Sequence, residues 1–275
     1  MLKILQARLQ QGHRTTRYPD GPAPALPDRL RGHPVLDPER CDGCGACSAA
    51  CPVGAVSCAG GPRDGLRLDL GGCLFCAECA EACPSGALAF APEHRLAASR
   101  REDLVIAPGS PGKGRERVRL AESLEPRLLK LFGRSLKLRQ VSAGGCNACE
   151  ADVNVLNTVG WDLGRFGIQF VAAPRHADGV LVTGPVTRNM RLALAKTYEA
   201  VPAPKIVIAV GACAIAGGPY AGHAQVCGGA GAVLPVDLYI PGCPPHPLTI
   251  LDGLLRLLGR VADGWPGGAE GPERG

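Results

Sequence analysis

The chain has 275 residues, enough for two domains with cores of their own, and its 14 cysteines are gathered into Cys-x-x-Cys groups. In a chain this long such clustering points to metal in a reducing compartment and away from a disulfide framework. The formal net charge of +5 comes from arginine spread along the chain without interleaved aromatics, which argues against a nucleic-acid groove, and no apolar run has the length of a signal peptide or membrane span.

In chain order, Leu2, Ile4, Leu5 and Leu9 fall near one face of a short helix, with Lys3 and Arg8 available to the other, before Gly12 ends the pattern. Two readings stay open: a helix packed on its own domain, or a foot at the membrane surface or on a membrane subunit. The stretch YPDGPAPALPDRLRGHPVLDP, residues 18–38, carries six prolines and is expected to be extended. Residues 1–34 are thus read as an amphipathic helix followed by a Pro-rich arm.

The run CDGCGACSAACP at Cys41 is repeated 32 residues later as CLFCAECAEACP. Two-cluster bacterial ferredoxins hold a pair of 4Fe-4S centres with this Cys-x-x-Cys-x-x-Cys-x-x-x-Cys-Pro spacing, the fourth cysteine of each run crossing to the other cluster. On that rule Cys41, Cys44, Cys47 and Cys83 hold one cluster, and Cys73, Cys76, Cys79 and Cys51 the second. CPVGAV and CPSGAL repeat as turns leading into short apolar strands, so residues 35–91 read as a small α+β ferredoxin domain. Zinc is the alternative for paired Cys-x-x-Cys motifs, but two complete runs, each with its proline, favour iron. Cys58 lies outside the pattern and is read as a buried or semi-exposed thiol.

Residues 92–119 turn polar and arginine-rich, and APGSPGKGRER looks like a flexible joint. A helix is expected over 121–132, with Leu124, Leu128, Leu131 and Phe132 on one side, and the alternation of Leu136, Leu138 and Val141 predicts a strand. Short apolar runs at Ile168–Ala172, Gly179–Thr183, Ile206–Val210 and Val236–Ile240 alternate with helices over Thr187–Glu199 and Pro247–Leu258. This predicts an α/β domain over 120–262 with a mostly parallel sheet, and a disordered Gly/Pro/Glu-rich tail over 263–275.

Sites in such sheets gather at the carboxyl ends of strands. Cys146 and Cys149 follow the first strand, Cys213 follows IVIAVGA and Cys243 follows VDLYIPG, so four thiols from three loops are expected at one edge, the number a cubane takes. Gly211, Gly217, Gly218 and Gly242 let those loops turn tightly. GACAIAGG lacks the Gly-Lys-Ser/Thr ending of a phosphate loop, which excludes nucleotide binding there. Glu150 stands at a helix start, where a carboxylate suits the exposed amides; a role in proton movement is the second reading. His176 and His246 are read as hydrogen-bonding or surface residues and Cys227 as a small buried hydrophobe.

GGCNACE, PRHADGVLVTGPVTRNM, GACAIAGG and PVDLYIPGCPP resemble, in order, the small electron-transfer subunit shared by complex I and the membrane-bound nickel-iron hydrogenases. The KILQ helix and RGHPVLDPERC are similar to the two-cluster ferredoxin subunit of the same complexes. The resemblance implies a fusion of two subunits, a flavodoxin-like second domain, and three 4Fe-4S clusters, the third held by Cys146, Cys149, Cys213 and Cys243 nearest the catalytic large subunit. Complex I has adjacent cysteines where Cys146 and Cys149 are separated by two residues, which favours a hydrogenase-type large subunit over a quinone-reducing, complex I-type one.

No catalytic triad, hydride site or carboxylate pair is visible, so the expected function is electron relay. Its partners are a large subunit, membrane subunits and an upstream electron donor or acceptor protein, on the cytoplasmic face of the cell membrane. A structural zinc protein or interaction scaffold is the rival from another class.

Overall fold

A computed structural model describes residues 2–58, 65–107 and 118–261. The tail over 263–275, and all of APGSPGKGRER after Ala107, lie outside the described residues. Helix α1 (Leu2–Gln11) forms as expected and is exposed along its length, with Leu2 and Leu9 each 84% accessible. It is not packed on the domain it precedes. Among the described residues no helix is long and apolar enough to cross a membrane.

The ferredoxin-type unit contains β1 (Pro34–Leu36), α2 (Ala46–Ala50), β2 (Val56–Cys58), β3 (Leu66–Asp69), α3 (Glu78–Glu81) and β4 (Leu88–Phe90). The two strands that follow the Cys-Pro-x-Gly-Ala turns form, but in different sheets. β4 pairs antiparallel with β1, whereas β2 pairs antiparallel with β3, which also pairs with β5 (Val105–Ile106). Each strand is too short to stand alone, and Val56, Leu66, Leu68, Leu88, Leu104 and Ile106 bury their inward faces in a core shared with the second domain.

That domain begins with α4 (Pro126–Phe132), shorter than the sequence pattern suggests. Pro126 occupies the first helical turn and holds Glu125 extended, so the helix cannot reach further back. There follow β6 (Leu136–Ser142), α5 (Ala148–Val155), β7 (Ile168–Phe170), β8 (Gly179–Thr183), α6 (Arg188–Ala200), β9 (Ile206–Val210), α7 (Ala212–Ala216), β10 (Leu238–Ile240) and α8 (Pro247–Leu257). Their sheet has the order β10-β9-β8-β6-β7 and every pairing is parallel. Renumbered within the domain this is 2-1-3-4-5, the flavodoxin-like order. β8 and β9 are buried at every residue, as strands covered on both faces must be.

α8 is buried from end to end although it carries Asp252 and Arg256. Arg256 Nε donates to Asp252 Oδ2 at 2.8 Å, and Tyr18 of the Pro-rich arm donates its hydroxyl to Asp252 Oδ1 at 2.5 Å. Arg165 fastens the same arm by donating to the carbonyls of Thr16 and Tyr18. The connection between the units is also tightly docked: Ala98 and Tyr239 exchange backbone hydrogen bonds of 3.0 and 2.9 Å, and Ala97 lies against Gly253, where a Cβ would come within 2.8 Å of its methyl group.

Candidate functional site

The two ferredoxin-type runs are built alike. In the first, Asp42 Oδ1 accepts from the Cys44 amide at 3.0 Å, Gly43 and Gly45 take left-handed backbone at φ 75°, and α2 then presents Cys47 to the core. The second run places Phe75 (φ 55°) and Ala77 (φ 68°) at the equivalent positions. Side chains there are held against an intrinsic preference of roughly 1 kcal/mol or more per residue, so the loop shape is imposed by its surroundings. The fourth cysteines match as well: the amides of Ala55 and Ala87, each four residues on, donate to Cys51 Sγ at 3.2 Å and Cys83 Sγ at 3.3 Å.

The thiols fall into neighbourhoods that exchange the fourth cysteine. Cys47 feels Cys83 and Cys41, while Cys73 and Cys79 both feel Cys51 and Cys76. Burial first, then neighbouring thiolates, pushes Cys73 up to about 12 and Cys79 to about 11. Cys83 moves down: burial opposes ionisation there, but the Ser85 hydroxyl and the local amides outweigh it. The first neighbourhood also contains Cys58, which the spacing rule leaves out; Cys58 is the neighbouring thiol that Cys47 feels most.

At the carboxyl edge of the parallel sheet, Cys149 feels Cys213, Cys243 and Cys146. Burial pushes Cys149 up to about 12 and Cys213 to about 11. Two glycines make room for sulfur: a Cβ on Gly211 (φ 90°) would lie 2.5 Å from Cys149 Sγ, and one on Gly218 (φ 56°) 2.6 Å from Cys213 Sγ. Glu150, in the first turn of α5, is 6% exposed and accepts from the Thr183 hydroxyl at 2.7 Å. Burial alone would raise its pKa, yet hydrogen bonds from Ser142 and Thr183 hold it below the usual carboxylate range. Sequence reasoning missed both hydroxyls, because contacts across a sheet edge have no signature in local spacing.

The domains meet at their cysteine loops. Cys243 senses the charge of Cys76 from the other domain. Between them opens a cavity of about 190 Å³ lined in part by Phe75, Glu93, Asp152, Pro244 and His246. His246 caps α8, its Nδ1 accepting from the Leu248 amide at 3.1 Å, in keeping with a hydrogen-bonding role. His176 lies in a short 3-10 turn, Pro174–His176, far from this junction in the chain, and Cys227 is half-buried against the core.

The expectation of three 4Fe-4S clusters is corrected by the structure. Among the described residues no group of three or more His, Cys, Asp or Glu side chains is placed to hold a metal ion, and all fourteen cysteines are free thiols. The thiols share neighbourhoods without converging on a common point.

A ferredoxin-type unit docked on a five-stranded parallel sheet with cysteines at its carboxyl edge defines a redox subunit of an oxidoreductase complex. Residues 146–257 match the family of the NADH ubiquinone oxidoreductase 20 Kd subunit, and residues 40–87 match the 4Fe-4S dicluster domain. The chain is 40% identical over 147 residues to the probable membrane-bound hydrogenase subunit mbhJ of Pyrococcus furiosus, covering 54% of this chain and 87% of that one. Formate hydrogenlyase subunit 7 of Escherichia coli is 44% identical over 137 residues, which span 50% of this chain and about half (54%) of the relative's length. A subunit of the NADH-quinone oxidoreductase of Heliobacterium modesticaldum is 39% identical over 120 residues, covering 43% and 69%. The chain belongs to the 20 kDa subunit family of hydrogenases and complex I, with a 4Fe-4S ferredoxin-type domain fused ahead of it, and is an electron-transfer subunit of such an oxidoreductase.

Proposed function

We propose that this chain relays electrons between its ferredoxin-type domain and a hydrogenase-type large subunit seated at the Cys146, Cys149, Cys213 and Cys243 edge. The observation that carries the reading is the cavity at the domain junction, lined by Phe75, next to Cys76, and by Gly242 and Pro244, on either side of Cys243. Electron transfer needs proximity more than a substrate pocket. The two-residue spacing between Cys146 and Cys149 supports the hydrogenase-type partner, as do the likenesses to the formate hydrogenlyase and membrane-bound hydrogenase subunits. The complex is proposed to lie peripherally on the cytoplasmic face of the membrane, with α1 as a point of attachment. Glu150 is proposed to move protons beside this edge; Glu150→Gln keeps the shape and removes the charge, and unchanged turnover of the assembled complex would end that role.

The likeness to the NADH-quinone oxidoreductase of Heliobacterium modesticaldum favours a second reading, a relay to quinone. The purified assembly separates the two. Electron exchange between hydrogen and a low-potential dye supports the first. Rapid quinone reduction without hydrogen activity, from a nickel-free complex, supports the second.

A further inference from the structure

The two ferredoxin-type runs share a backbone shape but not the residues that adopt it. Gly43, at φ 75°, precedes the second cysteine of the first run, and Phe75, at φ 55°, stands at the same place in the second. Left-handed backbone suits glycine and opposes a side chain, so a phenylalanine persists there where its surroundings make use of the ring. The Phe75 ring is packed against the core that the two domains share, with its centroid 6.3 Å from that of Phe90. It also walls the junction cavity together with Gly242 and Pro244 of the Cys243 loop, whereas no residue of the first run lines that cavity. Arg31 of the Pro-rich arm lines it too and donates from Nη1 to the Cys76 carbonyl at 2.5 Å, so the arm fastens the same loop at the next residue.

We propose that Phe75 is a positioning residue for electron transfer across the domain junction: its ring keeps the cavity small and holds the second run and the Cys243 loop in fixed register. The second run bears an unfavourable backbone because it faces the other domain, and the first run, which does not, keeps glycine. The bracing rests on the cavity and the backbone, whereas its use in electron transfer rests on the relay reading above.

The test separates these two layers. Phe75→Gly installs the residue of the first run, relieving the backbone while removing the ring, and Phe75→Leu keeps an apolar side chain. Amide hydrogen exchange of the full-length chain is read at Ala212, whose amide donates to the Gly242 carbonyl at 2.8 Å and so reports on the Cys243 loop from within the second domain. In Phe75→Gly that amide should exchange about tenfold faster, a change of about 1.4 kcal/mol in local opening, and Phe75→Leu should return it toward the natural rate. Gly45→Ala, which places a side chain at φ 75° in the first run, should leave it unchanged. Natural exchange at Ala212 in Phe75→Gly, or equally fast exchange in Gly45→Ala, overturns the proposal, since the ring then serves only the fold of its own unit. In the assembled complex Phe75→Gly should slow hydrogen-driven dye reduction severalfold. If Ala212 opens while dye reduction keeps its natural rate, the bracing stands and its use in electron transfer is rejected. A natural assembly that passes no electrons to the dye sinks the relay reading, and the transfer role with it, and leaves the Ala212 result standing.

Discussion

Tyr18 and Asp252 lie 234 positions apart and share a buried hydrogen bond of 2.5 Å. Asp252 also accepts from Arg256 on the same helix, one turn on, so a single carboxylate ties the Pro-rich arm to the most buried helix of the second domain. Burial and the neighbouring Asp252 charge raise the Tyr18 pKa, which keeps the donor proton in place at any working pH. Tyr18→Phe should destabilise the chain by roughly 1–3 kcal/mol in urea unfolding, because Asp252 loses a buried partner. Asp252→Asn should cost more, about 3–5 kcal/mol, since it leaves Arg256 charged and unpaired in the core. Equal effects from the two changes would contradict this hierarchy.

Stability should also fall as pH drops from about 6.5, the ordinary histidine value. Burial lowers the pKa of His94 against the pull of Asp252 and Glu93, so the unfolded chain binds a proton that the folded chain refuses. The contribution is full above that pH and is lost as pH falls toward the depressed folded value. Unfolding free energies measured at pH 7.5 and 5.5 should differ less in His94→Asn than in the natural chain. His246, also lowered by burial, adds to the slope in the same direction.

Removing residues 1–11 should leave unfolding unchanged, because no residue of α1 is buried. The same deletion should weaken binding to anionic vesicles. Leu2, Ile4, Leu5 and Leu9 are exposed, and between residues 1 and 17 Lys3, Arg8, Arg14 and Arg17 face no acidic residue in sequence. Undiminished vesicle flotation after the deletion would reject α1 as the attachment point.

Gly211→Ala should disturb the Cys149 loop specifically. The backbone at φ 90° disfavours any side chain, and the added methyl would collide with Cys149 Sγ at 2.5 Å. A loss of about 1–3 kcal/mol is expected, with faster alkylation of Cys149 as its cover opens. Gly160→Ala, where no neighbour stands within 4 Å of the new Cβ, serves as the control.

The parallel sheet was legible because strands such as Gly179–Thr183 and Ile206–Val210 are buried on both faces and therefore read as unbroken apolar runs. β1, β3 and β5 were not: each is two to four residues long and exists by pairing with a distant segment. The crossed grouping of the ferredoxin cysteines follows from the repeat, whereas Cys58 escaped because its place depends on how β2 lies against α2. Asp252 and Arg256 look out of place in an apolar helix until Tyr18 arrives from the other end of the chain. The expectation of metal clusters rested on counting thiols by spacing. Among the described residues no three such side chains are placed to hold one metal ion in the folded chain.

The central claim is that electrons cross from one domain to the other where Cys76 approaches Cys243. Hydrogen–deuterium exchange at the large subunit needs no electron to leave it, whereas hydrogen-driven reduction of a low-potential dye at the ferredoxin-type domain does. Assemblies carrying Cys76→Ser or Cys243→Ser should keep isotope exchange near the natural rate and lose dye reduction at least tenfold. Dye reduction at the natural rate in both variants would contradict the account.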